Sequence, residues 1–204
     1  SQATLAFDHV SYRFPGAEKL ALKDVNFSVD SGQTVAIIGG TGSGKTTLVN
    51  LLPRLYDVES GVIRLNNQDI SKVTQHDLRE VIGFVPQKAV LFSGTIRENM
   101  CYGRPEATDE EIWRALEIAQ AKDFVEGLAD GLESRVEQGG GNFSGGQRQR
   151  LAIARALIKE SDVYVFDDSF SALDLKTDAN LRGALKKSMT EGIMVIVAQR
   201  VSTV

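Results

Sequence analysis

A glycine-rich stretch that directly follows a β-branched run constrains the fold of this chain more than any other feature. Thr34–Ile38 predicts a strand buried on both faces, and Lys45–Leu55 predicts a helix. The residues between them, with Lys45 and Thr46, match G-x-x-x-x-G-K-[ST] in full. Because apolar runs and helix-like segments also alternate further along, the sequence predicts an α/β fold with a largely parallel central sheet.

The glycine-rich loop has the chemistry of a phosphate site. Glycines let the backbone fold tightly, so that successive N–H groups point at phosphate oxygens, and the following helix adds its positive N-terminal end. Lys45 is expected to reach the β- and γ-phosphates, and the Thr46 hydroxyl to bind Mg²⁺. A flexible glycine turn with an exposed lysine is the blander alternative. The complete motif between a strand and a helix favours a nucleoside triphosphate with Mg²⁺.

A second candidate group follows the apolar run Val163–Phe166, which predicts a buried strand. Asp167 stands at its carboxyl end, where ligands bind in open α/β sheets, and is expected to hold Mg²⁺. Asp168 points in a different direction and could orient an attacking water. The alternative is a strand-ending turn, since Asp-Asp-Ser is also good turn chemistry.

The rest of the chain reads as further strands and helices. Thr108–Glu111 predicts a capping box, and the chain from about Lys88 to Glu160 predicts an inserted helical subdomain. The other predicted strands are Leu5–Val10, Val25–Val29, Val62–Leu65, Ile82–Val85 and Ile193–Ala198, and the later helices are Gln147–Ile158 and Lys176–Met189.

Composition narrows the function classes. Lys and Arg number 23 against 27 Asp and Glu, a net charge of −4, so there is no overall basic surface for nucleic acid. Cys101 is the one cysteine and cannot form an internal disulfide, and with two histidines it makes a poor zinc set. The chain begins without Met and stops soon after its last predicted strand, so we interpret it as one domain of a longer polypeptide.

A second glycine-containing stretch, Asn142–Arg150, predicts a second anion site. Ser144 can cap the helix that starts here, and Gly145 and Gly146 leave its N-terminus bare. Since the chain has one phosphate loop, one interpretation is that this site serves a nucleotide held by another chain. A plain glycine-rich loop before a helix is the alternative.

With these motifs, the chain from about Ala3 to its end resembles the nucleotide-binding domain of an ABC transporter of the exporter type. The segments that carry the resemblance are Phe143–Gln147, similar to the signature motif with Phe where Leu is commoner; Pro86-Gln87; Leu91–Asn99; and Ser171–Asp174. The resemblance implies a P-loop NTPase, RecA-like core with an N-terminal antiparallel β-subdomain and the inserted helical subdomain.

The resemblance also implies the site residues for ATP and Mg²⁺. Phe14 stands where the family stacks an aromatic ring on adenine, with Tyr12 as the nearby alternative. The implied nucleotide-binding residues are Gly39, Gly40, Thr41, Gly42, Ser43, Gly44, Lys45, Thr46, Thr47, and, from the signature, Ser144, Gly145, Gly146 and Gln147. The implied metal ligands are Thr46, Gln87 and Asp167, and the implied catalytic residues are Asp168, Gln199 and Gln87.

The partners follow from the same resemblance. It implies a head-to-tail dimer in which each ATP lies between one chain's phosphate loop and the other's signature. It also implies a transmembrane domain that holds the chain at the cytoplasmic face of the membrane and that couples ATP hydrolysis to export. A soluble ABC ATPase acting on DNA or ribosomes is disfavoured by the acidic composition and by Gly94–Asn99, and a P-loop kinase does not explain Ser144–Gln147.

Three positions depart from the family pattern: Asp168 replaces the usual glutamate base, Gln199 replaces a histidine, and Gln138 replaces a frequent glutamate. Aspartate is one methylene shorter than glutamate, and a misplacement of about 1 Å can lower a rate ~100-fold. Glutamine cannot carry the positive charge that stabilises a transition state. We therefore expect tight binding with slow hydrolysis, as in the degenerate-site half of bacterial heterodimeric multidrug exporters; a fully active homodimer is the alternative.

Overall fold

A computed structural model describes residues 3–38 and 45–198, except for the side chain of Thr46. Within that range the chain forms two compact units. The first unit contains residues 3–38, 45–83, 162–167 and 190–198, and the second contains Phe84–Ser161 and Asp168–Met189. None of the helices within these described ranges is long and apolar enough to cross a membrane.

The strands and helices are as follows. The strands are β1 (Thr4–Tyr12), β2 (Leu22–Asp30), β3 (Thr34–Ile38), β4 (Ser60–Leu65), β5 (Gln68–Asp69), β6 (Ile82–Val85), β7 (Gly94–Thr95), β8 (Arg135–Val136), β9 (Val163–Asp167) and β10 (Ile193–Ala198). The helices are α1 (Lys45–Leu51), α2 (Gln75–Val81), α3 (Ile96–Met100), α4 (Asp109–Ile118), α5 (Lys122–Glu126), α6 (Gly145–Lys159) and α7 (Leu175–Ser188).

The first unit contains an antiparallel sheet in the order β2-β1-β4-β5, as the family resemblance implies. Phe7 lies opposite Phe27 on β2, and their rings stack at 4.6 Å. The β1 ladder is interrupted around His9, and the backbone of Gly61 approaches there so closely that a Cβ would lie 2.1 Å from the His9 carbonyl oxygen. Glycine at this position is therefore a requirement of the strand pairing.

The second sheet has the order β3-β10-β9-β6, with β10 parallel to both β3 and β9. Residues of β9 and β10 are nearly all buried, which agrees with the continuous apolar runs in the sequence. The prediction of an α/β fold around a largely parallel sheet is confirmed. The core of the first unit combines this sheet with β1, β2, β4 and α1.

Helix α1 is shorter than predicted, because it ends at Leu51 and not at Leu55. Proline disfavours helical backbone in the residue before it, and Pro53 follows two residues after the helix. Arg54 then adopts φ +57°, which reverses the chain, and its N–H donates to the Leu51 carbonyl at 3.2 Å.

Helices α3–α7 make up most of the second unit. The predicted capping box at Thr108 is confirmed: its side chain accepts from the Glu111 N–H at 3.2 Å, and the Glu111 carboxylate accepts from the Thr108 N–H at 3.1 Å. Helix α6 packs against α3 and α4. It begins two residues earlier than predicted, at Gly145, because the cap at Ser144 allows both glycines to adopt helical backbone.

Candidate functional site

The carboxyl ends of three neighbouring strands meet at one edge of the parallel sheet. Val197 on β10 lies in register with Ile37 on β3 and with Asp167 on β9, and Ala198 lies opposite Ile38. The end of β3, which leads into the glycine motif, therefore lies at the same level of the sheet as Asp167, the predicted metal ligand. Gly39–Gly44 and Gln199 lie outside the described residues, although Gln199 directly follows Ala198 in sequence.

Lys45 begins α1 and is 7% exposed, and Thr47 is equally buried. The apolar side chains of α1 and the turn after it, at Leu48, Val49, Leu51 and Leu52, are buried in the core of the first unit, which fixes the direction of the helix. A lysine is seldom buried unless its ammonium group has an anionic or hydrogen-bonding partner. Its position at the start of α1 suits contact with phosphate.

The backbone at Asp168 has an uncommon conformation, with φ +49°. Aspartate tolerates the left-handed region better than most residues, and such residues cluster at functional sites. The Asp168 carbonyl accepts from the Ser171 N–H at 3.3 Å, which turns the chain sharply after β9. Asp167 and Asp168 are therefore consecutive in sequence but differ in backbone conformation.

A buried glutamine in α6, which the sequence analysis missed, connects two of the predicted loops. Gln149 is 4% exposed, and its side-chain nitrogen donates to the Gln87 carbonyl at 3.0 Å and to the Ser171 hydroxyl at 3.1 Å. Its side-chain oxygen accepts from the Ala172 N–H at 3.0 Å. Ser169 adds a further link, since its hydroxyl donates to the Val85 carbonyl at 2.6 Å. A buried, uncharged glutamine inside a helix gives no sequence signal of such a role.

The signature segment forms the N-terminus of α6. The Ser144 hydroxyl accepts from the Gln147 N–H at 3.1 Å, and the Gln147 side chain accepts from the Ser144 N–H at 3.0 Å, so the predicted cap is part of a capping box. Gly146 approaches the Ala172 carbonyl, which a Cβ would meet at 3.1 Å. The glycine thus brings the loop Ser171–Asp174 against the helix start.

An open cavity of about 340 Å³ lies beside this helix start. It is lined by Ser144, Gly145, Gly146, Arg150, Ala172, Leu173, Asp174 and Thr177. Partial burial lowers the pKa of Arg150 from its ordinary value, while hydrogen bonds from the Thr177 backbone and side chain are the main causes that lower the pKa of Asp174. Asp174 caps α7 through the Thr177 N–H at 2.7 Å. Ser144, Gly145 and Gly146 of the predicted signature therefore line this cavity, whereas Gln147 does not.

Three aromatic rings cluster in the first unit near the predicted adenine site. Phe14 is 41% exposed, whereas Tyr12 is 5% exposed and lies in the core, so the Phe14 ring is accessible and the Tyr12 ring is not. Tyr56, which the sequence analysis missed, is 36% exposed and contacts both rings. The sequence analysis extended α1 to Leu55 and therefore did not predict the turn at Arg54, after which Tyr56 follows.

The predicted metal ligands supply oxygen atoms: a carboxylate from Asp167, a hydroxyl from Thr46 and an amide from Gln87. Mg²⁺ prefers oxygen and is usually held by one or two carboxylates together with substrate phosphates. Among the described residues no three His, Cys, Asp or Glu side chains form a group that could hold a metal ion. The oxygen donors of the predicted set are of the kind that suits Mg²⁺.

The second unit carries an exposed aromatic patch. Phe92 and Tyr102 are exposed, with ring centroids 4.6 Å apart, and Val90 beside them is also exposed. Arg155 holds this patch in place, because its guanidinium lies 5.4 Å from the Phe92 ring centroid and donates to the Val90 carbonyl at 2.8 Å. Burial lowers the pKa of Arg155. An exposed apolar surface of this kind is typical of a contact with another protein segment.

The fold and these motifs define the class of the chain as an α/β nucleotide-binding domain of the P-loop type. The family model described as ABC transporter matches residues 22–171. The chain therefore belongs to the ABC transporter family, and it is an ATP-binding domain of that family.

Individual relatives agree with this assignment. An uncharacterized ABC transporter ATP-binding protein of Mycobacterium tuberculosis is 47% identical over 195 residues, which cover 94% of the chain and 33% of the relative. A Staphylococcus aureus protein, named for multidrug export as an ATP-binding/permease protein, is 42% identical over 203 residues, covering 100% of the chain and 35% of the relative. The chain thus spans about a third of the length of the curated relatives it matches.

A solved structure matches at the level of the fold. The structure of a bacterial Atm1-family ABC exporter with ATP bound superimposes with a TM-score of 0.90 at 36% sequence identity. The match covers 99% of this chain and 35% of that one. The ABC ATPase fold predicted from the motifs is therefore confirmed.

Proposed function

We propose that this ATP-binding domain powers export through a membrane domain, binds MgATP tightly at its own site and hydrolyses it slowly there. The observation that carries the proposal is the shared sheet edge, at which β3 leads into the glycine motif and β9 ends at Asp167. Asp167 and Ile37 on β3 both lie in register with Val197 of β10, the strand between them. This arrangement supports triphosphate binding, since it brings the carboxylate to the strand end that the phosphate loop follows.

Binding requires residues that the chain retains. Lys45 contacts the β- and γ-phosphates, while Thr46, Asp167 and the Gln87 side chain provide oxygen ligands for Mg²⁺. When bound, the metal ion neutralises charge on the phosphates. Phe14 presents an exposed ring face for the adenine.

Slow hydrolysis follows from two residues near the reacting phosphate. Asp168 orients the attacking water, but its carboxylate is one methylene shorter than that of the glutamate usual in the family. The φ of +49° at Asp168 places its backbone in the left-handed region, where strained residues cluster at functional sites. Gln199 donates a hydrogen bond without positive charge, so it stabilises the transition state less.

The intact signature supports a second role toward a partner chain. Ser144, Gly145 and Gly146 present the N-terminus of α6 to an open cavity, which suits the triphosphate of a nucleotide held by the partner. In a head-to-tail dimer with a different ABC ATP-binding domain, this chain completes the partner's site.

The exposed patch formed by Val90, Phe92 and Tyr102 is the surface that we assign to contact with the transmembrane domain.

Turnover measurements test the proposal. Purified protein should bind MgATP saturably and hydrolyse it slowly, and the double substitution Asp168→Glu with Gln199→His should raise turnover by about 100-fold. The measurement is made on the protein by itself and when mixed with a partner domain that has a complete site. Fast hydrolysis by the unmodified protein that Asp168→Ala abolishes would instead indicate a fully active homodimer. Absence of saturable MgATP binding would refute the proposal altogether.

A further inference from the structure

A tight turn presents Phe14 at the surface of the first unit. The Ala17 N–H donates to the Phe14 carbonyl at 3.0 Å, with Pro15 and Gly16 between them and φ +79° at Gly16. Proline followed by a glycine with positive φ is the pattern of a type II turn. The backbone that carries the Phe14 ring is therefore restricted by the turn itself.

Arg13 stabilises the same turn from the other side. Its Nε donates to the Glu59 carboxylate at 2.9 Å, and its guanidinium also donates to the carbonyls of Ala17 and Glu18. The turn is thus connected to the start of β4. These contacts fix the backbone, but none of them fixes the χ angles of the Phe14 side chain.

The orientation of the Phe14 ring depends on two tyrosines. Tyr12 and Tyr56 stack with centroids 5.2 Å apart at an interplanar angle of 23°. Phe14 stands nearly perpendicular to both, at 82° and 5.1 Å from Tyr12 and at 79° and 5.8 Å from Tyr56. Such edge-to-face contacts are directional, so the tyrosine pair selects one orientation of the Phe14 ring.

Tyr56 is held in this position by the segment that reverses the chain after α1. The Arg54 guanidinium donates to the carbonyls of Ile70 at 3.1 Å and Val73 at 2.5 Å. The Arg54 carbonyl accepts from the Gln75 side chain at 2.9 Å. Tyr56 therefore approaches Phe14 from a fixed backbone, and it is the exposed member of the tyrosine pair.

From this geometry we infer that Tyr56 is a positioning residue for nucleobase binding, because its ring holds Phe14 in the orientation that stacks on the base. The inference rests on the proposed function, in which Phe14 contacts the adenine of MgATP. Without the Tyr56 ring, Phe14 would have to give up rotamer freedom when the base binds, and affinity would fall accordingly. The contact is made by the aromatic ring, so the hydroxyl group is dispensable.

Two ligands separate this role from a general structural one. MgATP has a base, whereas Mg-tripolyphosphate carries the same kind of phosphate chain without one. We expect Tyr56→Leu to weaken MgATP binding about 3- to 10-fold and to leave tripolyphosphate binding within about 2-fold. Tyr56→Phe should bind both ligands like the unmodified protein. The matched control is Leu55→Ala, which removes the neighbouring exposed apolar side chain.

Titration calorimetry on each purified protein gives its affinities for the two ligands, and circular dichroism reports folding. If Tyr56→Leu does not fold, Tyr56→Gln takes its place with the same expected result. The inference is overturned if the ringless variant binds MgATP normally, if it loses affinity for both ligands equally, or if Tyr56→Phe is as weak as Tyr56→Leu. If the unmodified protein binds no MgATP, the proposed function fails and the inference fails with it.

Discussion

The side-chain amide nitrogen of Gln149 donates a hydrogen bond to the backbone carbonyl of Gln87, over 3.0 Å. The same side chain bonds Ser171 and Ala172, so helix α6 joins the loop after β6 to the loop before α7. The predicted metal ligand Gln87 thus belongs to the same hydrogen-bonded assembly as the signature helix. The hydrogen bonds of Gln149 therefore hold both loops against helix α6 within the second unit.

Gln149→Leu should be destabilising, because it removes the buried amide that bonds the Gln87 carbonyl, the Ser171 hydroxyl and the Ala172 N–H. A typical intramolecular hydrogen bond contributes about 0.5–1.5 kcal/mol. Urea unfolding of the purified protein measures the change. Gln147→Leu, in the same helix but partly exposed, should cost less than about 1 kcal/mol; an equal loss in both variants would show that the Gln149 bonds contribute little.

Ser144→Ala should lower the stability of the second unit by about 1 kcal/mol, since it removes the acceptor that caps α6. Ser144→Gly should cost only a few tenths of a kcal/mol, because glycine is itself tolerated at this position. Thermal unfolding followed by circular dichroism compares the two. If the alanine variant were the more stable, the capping role of the hydroxyl would be wrong.

Backbone strain at Asp168 predicts that a glycine variant is more stable than an alanine variant there, which is the reverse of the usual order. At φ +49° a side chain costs about 1–2 kcal/mol that glycine avoids, so Asp168→Gly should be more stable than Asp168→Ala by about 1 kcal/mol. Asp167 lies in β9 with ordinary strand backbone, and there the glycine variant should be less stable by about 0.5–1 kcal/mol. Chemical unfolding of the glycine and alanine variants at both positions tests whether the stability difference between them has opposite signs at Asp168 and Asp167.

His9 and Asp24 predict a pH dependence in the first unit. The His9 ring nitrogen lies 2.7 Å from the Asp24 carboxylate, and this hydrogen bond is the main cause that raises the pKa of His9 and lowers that of Asp24. Since the pKa of His9 is raised on folding, its stabilising contribution is fully present below its ordinary pKa of 6.5 and disappears as the pH rises through the raised value.

An NMR titration of the His9 ring measures this effect directly, and Asp24→Asn is the control that should lower its pKa. The stability difference between the unmodified protein and Asp24→Asn should be larger at pH 6 than at pH 9. A difference that stayed constant across this interval would show that the pair does not couple protonation to folding.

Much of the fold could be predicted from local patterns. The bounds of β3, β6 and β10 agree with the apolar runs in the sequence, and the caps at Thr108 and Ser144 agree with their side-chain chemistry. The end of α1 was wrong, because the apolar residues after Leu51 continue the helical pattern while Pro53 and Arg54 break it. The spacing of apolar residues indicates which residues are buried. The turn after α1 is also partly buried, so it is as apolar as the helix and the pattern does not separate the two.

The sequence by itself determined which residues we expect to carry the chemistry, since a phosphate loop, an acidic strand end and a capped glycine signature each occupy a few consecutive positions. Through the family resemblance it also predicted that Asp168 and Gln199 depart from the family pattern. Only the tertiary structure decided that Tyr56 lies against Phe14 and that Gln149 bonds Gln87 and Ser171. These contacts join segments far apart in the chain, and they arise from how α1 ends and how α6 is buried, which no short pattern encodes.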